Sequence, residues 1–170
     1  MRAFRTLTSM LFICIFALAL IGCSEKVGTA PDGNEAAIEE AAILVATEYA
    51  QSSYKLADMK QMKNWIDLGE IMTIVDIRPA SDFAKGHLPE AVNAEISRDG
   101  ESTDEQLIAF LDLLPDNPDS YIVVYDDYTL LNGSHRAALY ATEAGYTNVY
   151  RLVGGAIGWE AAGNSLTKKK

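Results

Sequence analysis

The sequence predicts an α/β domain with a mostly parallel five-stranded sheet and helices on both faces. Two continuous apolar runs, 71–75 and 121–125, are typical of strands that are buried on both sides. Segments with helical periodicity separate the extended segments, and this alternation indicates right-handed crossovers and a mostly parallel sheet. Without the first 22 residues, about 150 residues remain, which suits a single domain.

The first residues have the pattern of a cleaved export signal. Two arginines precede an apolar run at 11–21, which is too short for a transmembrane helix of ~20 residues but suits a signal-peptide core. The tetrapeptide 20–23, Leu-Ile-Gly-Cys, resembles the lipobox of bacterial lipoproteins. This resemblance implies that residues 1–22 are removed and that Cys23 is lipidated. The alternatives are an ordinary cleaved signal or an uncleaved anchor, with Cys23 incidental.

A lipid at Cys23 would attach the protein to a membrane. We expect the small and polar residues 23–33 to be a lipidated tether. The protein would then lie at the cell membrane or the outer membrane, on the periplasmic or extracellular side. In the lipoprotein sorting pattern, Ser24 after the cysteine favours the outer membrane of a cell that has two. At the other end we expect residues 164–170, which finish in three lysines, to be a solvated basic tail.

Charge and cysteine content exclude several kinds of function. The chain has 14 Lys and Arg against 24 Asp and Glu, a net charge of −10, and loss of the two leader arginines makes it about −12. Because no basic stripe exists to neutralise phosphates, we expect no binding of nucleic acid. Cys14 would leave with the leader and Cys23 would be acylated. The mature chain would therefore have no free thiol and no internal disulfide.

Residues 34–50 are predicted to form a separate N-terminal helix. Asn34 is a suitable cap, and the apolar side of the helix is mostly alanine, so it offers modest packing. The helix either docks on the domain or forms a surface for a partner protein. We favour docking.

The remaining elements follow in order along the chain. Asp58 is the predicted cap of a helix that ends at Leu68 and is closed by Gly69. Further segments are an extended stretch at 91–96, a helix from Ser102 or Thr103 to Leu114, a helix at 134–144, a strand at 148–152 and a helix at 156–162. Ligands of parallel sheets bind beyond the carboxyl ends of strands, so a site is expected after Val75 and Tyr125.

Two long motifs resemble the signature of rhodanese-like domains. The first comprises 74–79 (IVDIRP), 82–83 (DF) and 86–93 (GHLPEAVN). The second comprises 144–150 (AGYTNVY) and 152–159 (LVGGAIGW). Their order and separation also agree with that family.

The resemblance implies a rhodanese-like domain at 54–163 and assigns mostly structural roles to its motif residues. These are Asp76, Arg78, Gly86, His87, Gly154, Gly155 and Trp159. For His87 we favour a half-buried ring bonded to nearby backbone over a catalytic role. Asp76 and Arg78 follow a buried strand, where both charges need partners.

The sequence departs from the active members of this family after the central strand. Active rhodaneses have a cysteine there, and backbone N–H groups of the following loop stabilise its thiolate and persulfide. Asp126 stands at this position, no cysteine follows Cys23, and the segment 126–136 is longer than the active loop. A carboxylate cannot carry sulfane sulfur. A thiol-dependent sulfurtransferase or phosphatase mechanism is therefore excluded for the isolated chain.

Five residues of this segment form a possible ligand loop: Asp126, Asp127, Ser134, His135 and Arg136. Ser134 is a plausible N-cap, which would put two basic side chains in the first helical turn, against the helix dipole. Either the two aspartates compensate these charges in a closed site, which we favour, or an external anion does. The aspartates could also hold Mg²⁺ or Ca²⁺, or supply a carboxylate nucleophile, although adjacent acids are more often a solvated turn. We predict no metal and no cofactor.

The sequence therefore predicts a lipid-tethered rhodanese-like module that binds or scaffolds an unknown envelope protein without catalysis. The alternative is participation in sulfur transfer, with a partner supplying the persulfide cysteine. A third possibility is a structural envelope protein that uses helix 34–50 for its contacts.

Overall fold

In the computed structural model, residues 34–98 and 102–168 are described. The predicted signal, Cys23 and the tether lie outside these ranges. Five strands form one sheet in the order β1-β5-β4-β2-β3, and every neighbouring pair is parallel, which confirms the predicted sheet. The strands are β1 (Lys55–Ala57), β2 (Met72–Asp76), β3 (Val92–Asn93), β4 (Tyr121–Tyr125) and β5 (Asn148–Leu152).

The helices are α1 (Glu35–Ala50), α2 (Met59–Leu68), α3 (Ala80–Lys85), α4 (Asp104–Leu111), α5 (Gly133–Glu143) and α6 (Gly155–Ala161). Local sequence determines several of their ends. The Asp58 side chain accepts a hydrogen bond from the Gln61 N–H at 2.7 Å, and Gly69 ends α2 with a φ of 67°. Thr103 begins α4 with a reciprocal capping box. Within the described ranges, no helix is both long and apolar enough to cross a membrane.

Apolar side chains fill a core on each face of the sheet. Phe110 of α4 and Ala138 of α5 pack on one face, where Val75 contributes from β2. Met62 of α2 and Trp159 of α6 pack on the other face. Successive side chains of a strand point to opposite faces, so each central strand supplies both cores. The prediction of helices on both faces is confirmed.

The third strand is shorter than the predicted extended segment at 91–96. Only Val92 and Asn93 pair with β2, because β2 itself ends at Asp76. The chain nevertheless stays close to that strand end. The Ala94 N–H donates to the Asp76 carbonyl oxygen, and the Ile96 N–H donates to that of Ile77, both at 3.1 Å.

The segment after α6 returns to the domain. The Thr167 and His87 backbones exchange two hydrogen bonds, of 2.8 and 2.9 Å, and Leu166 packs on the core beside Gly86. The first residues of the expected tail 164–170 thus belong to the folded domain, because Leu166 is apolar and finds a place to pack. Lys168 is exposed.

Candidate functional site

Charged side chains collect where β2 and β4 end, as the parallel topology predicts. Arg78 makes a forked ion pair with Asp76, with Nε at 2.9 and 3.1 Å and Nη2 at 2.7 Å from the carboxylate oxygens. Its Nη2 also donates to the Gly86 carbonyl oxygen at 2.6 Å. Burial lowers the pKa of Arg78, but the hydrogen bonds and charge of Asp76 outweigh this and raise the pKa above its ordinary value.

The same carboxylate organises the end of β4. The Tyr125 hydroxyl donates to Asp76 Oδ2 at 2.6 Å and accepts from the Leu88 N–H at 3.0 Å. Burial, followed by the charge of Asp76, raises the pKa of Tyr125 above its ordinary range. Asp76, Arg78 and Gly86 therefore hold the ends of β2 and β4 and the loop before β3 together. This geometry agrees with the structural role that the family resemblance implies.

The two loop aspartates extend this arrangement through a second arginine. Arg78 Nη1 donates to Asp127 Oδ1 at 3.1 Å, and Arg98 Nη2 donates to Asp127 Oδ2 at 2.8 Å. Arg98 Nη2 also lies 2.7 Å from Asp126 Oδ1. Acidic and basic groups thus alternate in one cluster, which we term the Asp–Arg cluster: Asp76, Arg78, Asp127, Arg98 and Asp126. Sequence reasoning missed Arg98, because it lies beyond the family motif in a segment without regular structure.

Asp126 is enclosed rather than presented to solvent. Its side chain is 1% exposed, and its Oδ1 also accepts the Asp127 N–H at 2.8 Å. Its Oδ2 has no hydrogen-bond partner among the residues that the structure describes. A Cβ on Gly133 would lie 2.7 Å from that oxygen, so the glycine leaves room for the carboxylate. Burial raises the pKa of Asp126, against the lowering by the Asp127 N–H and Arg98.

The structure corrects the expected roles of Ser134, His135 and Arg136. Helix α5 begins one residue earlier, at Gly133, so Ser134 is not its N-cap. His135 Nδ1 accepts the Tyr54 hydroxyl at 2.7 Å. Arg136 donates to the Ser97 carbonyl oxygen and the Tyr140 hydroxyl at 3.4 and 3.3 Å.

The prediction that Asp126 and Asp127 compensate the charges of His135 and Arg136 is therefore wrong. The Asp126 and Asp127 carboxylates pair with Arg98 and Arg78, which come from the loops after β3 and β2. The basic residues of α5 face other groups. Burial, with the nearby Arg151 and Arg136, lowers the pKa of His135 despite the opposing charge of Glu48. A neutral imidazole at this position does not oppose the helix dipole.

A second buried arginine holds the other side of the loop. Arg151 on β5 is 0% exposed, and its Nε donates to Ser134 Oγ at 3.0 Å. Its Nη2 donates to the carbonyl oxygens of Thr129 and Leu131 at 3.1 and 3.4 Å. Its Nη1 pairs with the Glu48 carboxylate of α1. Sequence reasoning missed this residue, although an arginine at an inward position of a buried strand is a signal for a required counter-charge.

Glycines allow α6 to approach the loop closely. Gly155 has a φ of 60°, and a Cβ there would lie 2.2 Å from the Asp126 carbonyl oxygen. The next two N–H groups, of Ala156 and Ile157, donate to the carbonyl oxygens of Asp126 and Asp127, both at 2.9 Å.

The remaining motif residues have packing roles. A Cβ on Gly154 would lie 2.7 Å from the Met59 side chain. The Trp159 indole N–H donates to the Ser165 carbonyl oxygen at 3.1 Å. The His87 ring stacks on Phe83 with 3.9 Å between centroids, and its Nδ1 bonds the Phe83 carbonyl oxygen at 3.0 Å. The ring is bonded to nearby backbone as expected, but the residue is buried rather than half-buried.

The arrangement limits the chemistry that the site can perform. The described residues contain no group of three or more His, Cys, Asp or Glu side chains that could hold a metal ion. Both Asp127 oxygens and Asp126 Oδ1 face arginines, and Asp126 Oδ1 also accepts the Asp127 N–H. The Asp126 carboxylate, which is 1% exposed, is not open to an incoming substrate.

Comparisons with known proteins identify the fold. The profile of the Rhodanese-like domain family matches residues 58–162. A rhodanese-like domain from Anabaena is 23% identical, with a TM-score of 0.55 over 67% of this chain and 79% of that one. A thiosulfate sulfurtransferase from Pseudomonas aeruginosa is 18% identical, with a TM-score of 0.58 over 76% and 22% of the two chains.

A third similar structure is a 3-mercaptopyruvate sulfotransferase from Escherichia coli. It is 23% identical, with a TM-score of 0.53 over 68% of this chain and 52% of that one. Among curated proteins there is no match. At these identities the solved structures share a fold with this chain, and the family profile covers more than half of its residues. The chain belongs to the rhodanese-like domain family.

Proposed function

We propose that this protein is a lipid-anchored rhodanese-like module that binds or scaffolds a partner protein in the cell envelope without catalysing sulfur transfer. One observation carries the proposal. Asp126 directly follows the central strand β4, where the family pattern has its cysteine, and its buried carboxylate pairs with Arg98. A carboxylate that is paired with an arginine of the same domain therefore stands at the position of the family's nucleophile.

The backbone around Asp126 supports the same conclusion. A persulfide site needs N–H groups that point at the sulfur. Here the carbonyl oxygens of Asp126 and Asp127 accept N–H groups from α6, and those of Thr129 and Leu131 accept from Arg151. The loop is stabilised by contacts within the domain. The two cysteines, Cys14 and Cys23, both precede the domain in sequence.

The membrane location rests on the leader. The short apolar run before Cys23, with its two preceding arginines, supports lipidation at that cysteine. Acyl chains at ~0.8 kcal/mol per buried methylene would then form a stable anchor. The acidic charge of the chain, −10, gives it no electrostatic affinity for anionic headgroups.

The test is sulfur transfer from thiosulfate to cyanide, measured with the full-length protein in detergent. We expect a rate no higher than that of heat-inactivated protein. Replacing Asp126 with Cys should also give little activity, because the segment 126–136 is longer than the loop of active rhodaneses. Asp116→Cys, at an exposed loop position, is the matched control for adventitious thiol reactivity. Robust transfer by the unaltered protein contradicts the proposal.

The same assay distinguishes this proposal from the alternative, in which the protein takes part in sulfur transfer together with a partner. If the protein accelerates transfer by a cysteine-bearing rhodanese without acting alone, it participates in sulfur transfer through a partner's persulfide. No acceleration favours the binding or scaffolding function.

A further inference from the structure

The buried guanidinium of Arg151 requires a negative charge, and helix α1 supplies it. Among the carboxylates of the described residues, Glu48 is the one that pairs with Arg151. The other acceptors are neutral: the carbonyl groups of Thr129 and Leu131 and the hydroxyl of Ser134. A buried cation without a counter-charge is strongly unfavourable. The position of Arg151 therefore depends on α1.

Other contacts attach α1 only weakly. None of its residues is buried, and Ile38 and Ile43 are 45% and 60% exposed. Near its end the Tyr49 ring lies 6.5 Å from the ring of Tyr54. An element with so little buried apolar surface detaches at a low free-energy cost. The ion pair with Arg151 is therefore a main determinant of whether α1 docks.

The loop at 126–132 is divided between two sets of arginine contacts. Its first two residues belong to the Asp–Arg cluster, which does not involve Arg151. Its second half, from Thr129 to Leu131, is held by Arg151 and by a bond of 3.1 Å from Thr129 Oγ1 to the Val153 carbonyl oxygen. Loss of the Arg151 position would release this second half and leave the first half paired.

We propose that α1 is a latch whose docking through Glu48 stabilises the second half of the 126–132 loop, and whose release loosens it. Coupling between two sites is reciprocal. A change in the loop that weakens the hold on Arg151 therefore weakens α1 docking as well. Since α1 follows the proposed tether, a partner that captures this helix would loosen residues 129–131 of the loop. The latch is an additional property and does not depend on the proposed binding function.

Hydrogen exchange followed by mass spectrometry tests the first half of this proposal, with the full-length chain in detergent. Glu48→Gln removes the counter-charge and keeps the side-chain shape. We expect amides of 129–134 to exchange about 5–150-fold faster, the range typical of coupling between sites. Glu40→Gln, at an exposed position of the same helix, is the matched control and should leave exchange unchanged.

The reciprocal measurement uses Ser134→Ala, which removes the acceptor of Arg151 Nε. Amides of α1 should then exchange faster. If Glu48→Gln does not fold, the double variant Glu48→Leu with Arg151→Met removes both charges together. In that background Ser134→Ala should leave α1 exchange unchanged. Unchanged exchange at 129–134 in Glu48→Gln would refute the latch. So would an equal increase of exchange in all strands, since that indicates general destabilisation. An effect of Ser134→Ala on the exchange of α1 in the Glu48→Leu and Arg151→Met double variant would refute it as well.

Discussion

At the scale of single residues, Asp126 combines deep burial with incomplete hydrogen bonding. One carboxylate oxygen accepts two hydrogen bonds, whereas the other is buried without a partner in the described part of the chain. Burial is the largest influence on this group and raises its pKa. The Asp–Arg cluster contains three acidic and two basic groups, and the pairing of Asp126 with Arg98 opposes the effect of burial on its pKa.

This environment predicts a pH dependence of stability. When the folded pKa exceeds the unfolded one, the folded state keeps a proton that the unfolded state loses above about pH 4. The free energy of unfolding should therefore fall as the pH rises through the interval between the two pKa values. Asp126→Asn should remove this decline, so its stability relative to the unaltered protein rises with pH. Urea titrations from about pH 4 to pH 7 measure the difference.

A matched variant makes that experiment specific. Asp116→Asn changes an exposed aspartate and should leave the pH profile unchanged in shape. If the profiles of Asp126→Asn and the unaltered protein stay parallel over the whole pH range, the pKa of Asp126 is not raised in the folded state.

At the scale of elements, the start of α6 determines the path of the loop after β4. Its first N–H groups bond the carbonyl oxygens of Asp126 and Asp127, which turns the loop backbone towards the helix. This contact depends on Gly155, since any side chain there would overlap the Asp126 carbonyl group. The double glycine of the family motif thus has a steric reason in this chain.

Gly155→Ala should destabilise the domain by about 2–4 kcal/mol, because it adds a steric overlap to a strained positive φ. Gly163→Ala is the matched control, since Gly163 has a φ of 82° but open space around its Cα. We expect the free energy of unfolding of the control to fall by only about 1–2 kcal/mol, the penalty for the left-handed conformation alone. Chemical denaturation measures both losses. Equal losses would mean that the contact between α6 and the loop adjusts without cost.

At the scale of the whole molecule, the proposed membrane attachment rests on the leader sequence. The described residues contain no helix that could span one, and the net charge of −10 opposes binding to an anionic surface. We propose lipidation at Cys23 as the means of attachment, on the basis of the residues that precede it. The latch on α1 would then lie next to the anchored segment in sequence.

Cys23→Ser should abolish membrane attachment when the protein is expressed in a bacterial host. The unaltered protein should partition into the detergent phase of a cloud-point extraction and incorporate a labelled fatty acid, because two or more acyl chains bind stably to lipid. The Cys23→Ser variant should do neither. Cys14→Ser, which changes the other cysteine, should still be lipidated. Lipid incorporation by Cys23→Ser would contradict the proposed site.

Much of the fold follows from local patterns in the sequence. The buried strands at 72–76 and 121–125 and the cap at Asp58 depend on residues close together in the chain, so periodicity and turn chemistry predict them. The start of α5 and the end of the chain were harder to predict. Ser134 has the composition of an N-cap but bonds a side chain of β5 instead, and Leu166 packs on a core that only the folded domain provides.

The sequence by itself determined the family of the domain, the carboxylate after β4 and the lack of any cysteine after Cys23. Each of these is a property of residue order. The tertiary structure decided which charges meet. Arg98 reaches Asp126, and Arg151 reaches Glu48, which is 103 residues away in the chain. Such pairs arise because a parallel sheet brings loops that are distant in sequence to one edge. A buried charge there pairs with an opposite charge that the fold places next to it.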